Sequence, residues 1–226
     1  MQSTACIPRI FYNCDTTSVA KGLLGKMLVR ILWTSVGPIR LAGIITETEA
    51  YGAYEDPASH AFRGLTPRSS IMFGKRGICY VYLIYGTYHC LNVVAYSNKK
   101  VAGAVLIRSL YPTEGIKAMM IFRKSRKIEG LTNGPGKICI ALKIDKSLNG
   151  LDFTDSQSCL RIEDGIESHR TIATKRIGLT FGTELKRRYS IVGNINYTTF
   201  QKSLHLINQR ILFLELFIFA KLVQII

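Results

Sequence analysis

The chain is 226 residues long and 47% hydrophobic, enough apolar material to pack one domain and too much for a disordered chain. Lysine and arginine outnumber aspartate and glutamate by 30 to 15. The formal charge of +15 points to a polyanionic partner, nucleic acid ahead of an anionic membrane surface.

The first residues, MQSTACIPRIFYN, have no basic start followed by a long apolar run, so no secretory signal is expected. Thr16 or Thr17 is a candidate cap for a short helix, with Val19, Leu23, Leu24 and Met27 at helical spacing. KMLVRILW and LAGIITETEAY (Leu41 to Tyr51) then read as strands joined by a turn at Ser35-Val36-Gly37-Pro38. Residues 52–77, rich in Gly, Pro, Ser and charge, read as a long irregular segment, and such segments tend to be functional. GICYVYLIYGTYHCLNVVAY reads as a β-hairpin turning at Tyr85-Gly86-Thr87-Tyr88, and AGAVLIRSL (Ala102 to Leu110) as another strand. Residues 113–128 look helical and carry Lys117, Arg123, Lys124, Arg126 and Lys127. A loop at 133–137 leads into a helix from Lys137 to Leu142, and residues 158–198 suggest short strands, among them SCLRIED and RRYSIVGN. The tail, Ile211 to Ile226, is strongly apolar but contains Glu215 and Lys221. It falls short of the roughly 20 residues of a membrane span, so membrane association is not expected and a C-terminal helix is.

The six cysteines include no CxxC pair and the four histidines are scattered, so neither a metal nor another cofactor is expected. Cys79, Cys90 and Cys139 sit in apolar runs as buried free thiols do, consistent with a reducing compartment such as the cytoplasm, nucleoid or nucleus.

In Thr46-Glu47-Thr48-Glu49-Ala50-Tyr51, period-two geometry puts Glu47, Glu49 and Tyr51 on one strand face. A carboxylate beside a ring suits work on a flat heterocycle: the ring stacks and the carboxylate deprotonates a water. An exposed polar face ending in a packed tyrosine accounts for the same pattern. Tyr85 at the hairpin turn can wedge between base pairs, whereas Tyr80 and Tyr88 read as core or cross-strand residues. Asn92 is either a satisfied core amide or a reader of a base edge. Arg108, closing an apolar strand, needs an anion such as a nearby glutamate or a phosphate. His60 in the long segment is by itself a surface residue.

ETEAYGAYEDPASH, TPRSSIMFGKRGICYVYLIYGTYHCLNV, AVLIRSLYPTEG and NGPGKICIALKI, in this order and spacing, resemble the alkyladenine (3-methyladenine) DNA glycosylase family. The resemblance covers roughly residues 10–197. It implies an α+β fold, a single mixed domain around a curved antiparallel sheet with a protruding β-hairpin and flanking short helices, over residues 1–198, with 199–226 as a tail of unknown role. It also implies a monofunctional enzyme, monomeric and metal-free, that flips a damaged purine out of double-stranded DNA and cuts its N-glycosidic bond with an activated water. Residue by residue, Glu49 matches the general base, and Arg108 and the main chain near Ile177 match the other contacts of the water. Tyr51, His60 and Tyr82 match the rings around the base, Tyr85 the wedge, and Asn92 the amide that crowds the 2-amino group of guanine. The His60 loop is one residue shorter than in some members, which alters that wall of the pocket. A non-catalytic basic nucleic-acid-binding protein of the same fold is the alternative; it leaves Glu49 without a task.

Overall fold

The computed structural model describes residues 6–166 and 170–192. The expected C-terminal helix therefore lies outside the described residues. These residues form a main unit, 6–32, 39–166 and 170–192, while the hairpin tip Trp33–Pro38 belongs to a separate unit.

Among the described residues the expected α+β architecture is found: an antiparallel sheet with three short helices. The strands are β1 (Met27–Thr34), β2 (Gly37–Tyr51), β3 (Cys79–Ile84), β4 (Tyr88–Val94), β5 (Ala104–Glu114), β6 (Leu160–Glu163), β7 (Thr171–Thr174) and β8 (Arg188–Ile191). They lie in the order β3-β4-β5-β2-β1-β6, with β8 joining the end of β2 and β7 joining β8. The long central strand β2 is buried from Leu41 to Ile45, as its unbroken apolar run requires of a strand covered on both faces. Past that run the alternation of Glu47, Glu49 and Tyr51 begins. There β2 pairs with β5 on one edge and with β8 on the other, Glu49 lying opposite Leu106 and Arg188. The β2–β5 register is irregular at this point: Ile45 pairs with Leu110, Glu47 with Ser109 and Thr48 with Ile107, so Thr46 and Arg108 are passed over. Such irregularities bend a strand and re-aim its side chains.

Helix α1 (Thr16–Gly22) packs on β5, and α3 (Pro135–Ala141) packs on β4 and β5 with α2 (Ile116–Phe122) beside it. The core between sheet and helices includes Leu23, Leu28, Ile45, Leu91, Ile107 and Ile138, each fully buried. Each such side chain contributes about 1.5–3 kcal/mol by leaving water.

Four sequence expectations need correction. The first helix is capped at Asp15, and Thr16 is instead its first residue, its hydroxyl donating to the Ala95 carbonyl. Met27 opens a strand rather than a fourth helical contact. The helix expected over 113–128 is only Ile116–Phe122, because β5 runs on to Glu114 and Gly115 turns the chain at φ 68° against Leu41, where a Cβ would clash. Most of the basic run is thereby left in the loop after α2. The later helix begins at Pro135, two residues earlier than expected, since proline suits a first helical turn.

The segment 52–77 is irregular, as expected, with one 3-10 turn at Ser70–Phe73. It is nonetheless pinned. Ser59 Oγ donates to the Gly52 carbonyl at 2.6 Å and Ser69 Oγ to the Gly64 carbonyl at 2.8 Å. Beneath it, Ala53, Ala61, Met72, Tyr80, Val94, Ala102 and Ala104 form a second small core.

Candidate active site

Glu49 is completely buried, and three donors converge on its carboxylate. The Tyr51 hydroxyl donates to Oε2 at 2.7 Å, Arg108 Nη1 to Oε2 at 3.2 Å and the Ile177 main-chain N–H to Oε1 at 2.9 Å. The Arg108 and Ile177 N–H groups can only donate, and the Tyr51 hydroxyl donates in this geometry. Burial, then the charge and hydrogen bond of Glu49, push the Tyr51 phenol well above its ordinary range, so it keeps its proton. Burial lowers the Arg108 guanidinium, but the charges of Glu49 and Glu47 more than offset this, and it stays cationic. Glu49 is the acceptor in each of these three bonds.

Arg108 finds the anion its position called for, and finds two. Its Nε donates to Glu47 Oε1 at 2.7 Å while Nη1 reaches Glu49. Glu47 also receives Arg188 Nη1 at 3.4 Å. The shared face of Glu47, Glu49 and Tyr51 is thus turned inward onto arginine, not outward to solvent.

Beside this cluster lies a cleft of about 190 Å³ whose lining includes Tyr51, His60, Tyr82, Asn92, Arg108 and Ile177. His60 and Tyr82 meet edge to face, ring centres 4.6 Å apart. Tyr51 enters from β2, and the Arg176 guanidinium lies 4.7 Å from its ring centre. His60 Nδ1 is 2.8 Å from the Tyr80 hydroxyl, which also lies 3.2 Å from the Arg68 carbonyl. Burial and the nearby Arg68 charge take the His60 imidazole down to about 4, so the ring is neutral at neutral pH. Asn92 lines the cleft, and it is a satisfied amide: its Nδ2 donates to the Tyr80 carbonyl at 3.2 Å.

Tyr85 stands apart from the cleft lining, at the tip of the β3–β4 hairpin and 81% exposed. Tyr85 and Gly86 both have positive φ, 52° and 70°, the pattern of a type I′ hairpin turn. Tyr80 is buried as expected; Tyr88 sits opposite Ile84 and is half-exposed.

A family model for methylpurine-DNA glycosylases matches residues 10–195. The chain belongs to this family. A relative from Methanocella arvoryzae is 45% identical over 179 residues, 79% of this chain and 86% of its own. One from Clostridium perfringens strain 13 is 42% identical over 189 residues, 79% of this chain and 90% of its own. Both are provisionally named as 3-methyladenine DNA glycosylases.

Every side chain that the resemblance singled out in this methylpurine-DNA glycosylase-family chain, Tyr85 excepted, lines the cleft or touches a residue that does. Ile177, the weakest of the matches, reaches Glu49 directly through its amide. Sequence reasoning missed Asp56 and Arg176, a buried pair with Nη1–Oδ2 and Nη2–Oδ1 distances of 2.6 and 2.7 Å. The Asp-Pro step announced a turn at Asp56, whose carboxylate accepts the Gly52 and Ala58 amides, but nothing local announces a partner 120 positions away. Tyr80, read as core, also holds the His60 ring. Among the described residues no cluster of three metal-ligating side chains occurs, and no helix is long and apolar enough to cross a membrane.

Proposed function

We propose that this DNA glycosylase hydrolyses the N-glycosidic bond of alkylated or deaminated purines, such as 3-methyladenine, 7-methylguanine and hypoxanthine, after flipping them out of duplex DNA, by direct attack of a water activated by Glu49. The observation that carries the reading is the convergence of Tyr51, Arg108 and Ile177 on one buried carboxylate beside an aromatic cleft. An acceptor held on three sides by donors is fixed in direction, which is what a base must be to aim a water at one carbon.

Departure of the base leaves an oxocarbenium-like sugar. A base that is already cationic leaves readily; a neutral one depends on help from the pocket. Tyr51 faces the base with its π surface, and His60 with Tyr82 supplies the other wall. Glycosidases acting on sugars commonly employ two carboxylates, one as an acid. Here the second, Glu47, is occupied with Arg108 and Arg188 and serves to steer Arg108. Among the described residues no lysine lines the cleft, so a Schiff-base lyase step is not part of the reading.

The family match ends at 195, which supports a catalytic domain of residues 1–198; the enzyme is read as a monomer. The test is release of free base from purified protein and a duplex carrying a single hypoxanthine or 7-methylguanine, in the presence of EDTA. Wild-type protein and a chain ending at residue 198 should both release it. A non-catalytic binder would retard the duplex and release nothing.

A further inference from the structure

We propose that Arg176 is a positioning residue that couples capture of the base to activation of the water; this rests on the glycosylase reading. Its side chain is fully buried, and its guanidinium touches three segments that border the site: β2, the Asp56 turn and the loop after Ile177. Nη1 and Nη2 clasp the two oxygens of Asp56. Nη1 also donates to the Ala50 carbonyl at 3.0 Å, between Glu49 and Tyr51 on β2. The guanidinium carbon lies 4.7 Å from the centre of the Tyr51 ring, backing the ring by a cation–π contact. Nη2 approaches the Gly182 carbonyl at 3.4 Å, closing the loop that carries Ile177 and Leu179. The next residue along the chain, Ile177, gives its N–H to Glu49.

Asp56 extends this reach. Its carboxylate accepts the Gly52 amide at 3.0 Å and the Ala58 amide at 3.3 Å, and so sets the turn that leads to His60. Burial raises the Asp56 carboxyl, but the hydrogen bond and charge of Arg176, with the Gly52 amide and Arg187, bring it below its ordinary value, so the pair is ionic. A buried, doubly hydrogen-bonded ion pair adds little net stability over a packed apolar pair, and its value lies in fixing one geometry. Displacing this guanidinium shifts the back of Tyr51, the His60 turn and the amide on Glu49 together. Lysine cannot substitute: it has one nitrogen for two carboxylate oxygens and no planar face for the ring.

The experiment compares wild type, Arg176→Lys and the paired variant Asp56→Asn/Arg176→Gln, which removes both charges of the buried pair together. Single-turnover excision of hypoxanthine is followed at saturating duplex, together with the flipping equilibrium of a fluorescent purine analogue placed opposite thymine. The rate constant and the flipping equilibrium should each fall about tenfold or more, since sub-ångström misplacement of reacting groups is costly. A purely structural role would lower only the amplitude, the fraction of folded enzyme. Reduced amplitude with wild-type values for both constants overturns the proposal, as does loss of one constant with the other unchanged. If Arg176→Lys does not fold, the paired variant decides by the same two constants, read at a temperature below its unfolding midpoint. Should wild type itself release no base, the glycosylase reading fails instead.

Discussion

The Ile177 amide and the Glu49 carboxylate meet at 2.9 Å across 128 positions of sequence, joining a central strand to a loop near the far end of the described chain. That bond, with those from Tyr51 and Arg108, decides which way the carboxylate faces, and substitution of Glu49 tests its use.

Glu49→Gln keeps the shape but puts an amide where three donors converge, so one of them loses its acceptor. Single-turnover excision of hypoxanthine should slow about 100-fold or more, the usual cost of removing a general base, while duplex binding stays close to wild type. A rate near wild type would falsify the assignment.

Tyr85 is 81% exposed and held at φ 52°, a backbone conformation that an aromatic residue seldom adopts. Strain kept at an exposed tip accords with the proposed wedge role. Tyr85→Gly should relieve the strain and raise the unfolding midpoint slightly, yet weaken flipping by about 1–3 kcal/mol through loss of the wedge. The fluorescence of a base analogue opposite thymine reads the second effect, calorimetry the first. An unchanged flipping equilibrium would return Tyr85 to the role of a turn residue.

Asn92→Ser should admit guanine. The side chain lines the cleft and cannot swing away freely, because its Nδ2 is bonded to the Tyr80 carbonyl. Shortening it opens space beside the purine and forfeits that bond, at about 0.5–1.5 kcal/mol of stability. The measurement is release of undamaged guanine by folded variant protein; none released would show that Asn92 does not set specificity.

His60 gives the folded state a pH dependence of known sign. Its imidazole is near 4 in the folded chain against 6.5 ordinarily. Between those values the unfolded chain binds a proton that the folded chain refuses, so stability rises with pH. The contribution is complete above 6.5 and is lost as pH falls through about 4. The ring is only part-buried, so its share is about 1–2 kcal/mol. Urea unfolding at about pH 4.5 and about pH 7 should show this difference in wild type and a smaller one in His60→Gln. An equal pH dependence in both would mean the imidazole titrates normally.

Much of this was legible in the sequence. Period-two alternation after a continuous apolar run placed Glu47, Glu49 and Tyr51 on one face of β2, and a turn flanked by β-formers placed Tyr85 at a hairpin tip. These are consequences of local backbone geometry, which neighbouring residues set for themselves. The length of the helix after β5 was not local in this sense: apolar spacing suited a longer helix, but the strand continued to Glu114 and only a glycine fitted against Leu41. Nor was the choice between an outward polar face and a buried one. That was decided by the irregular register at Thr46 and Arg108, by Ile177 and by the Asp56–Arg176 pair. Such contacts join groups far apart along the chain, and their partners are selected by how the sheet curves and packs, which no stretch of sequence carries by itself.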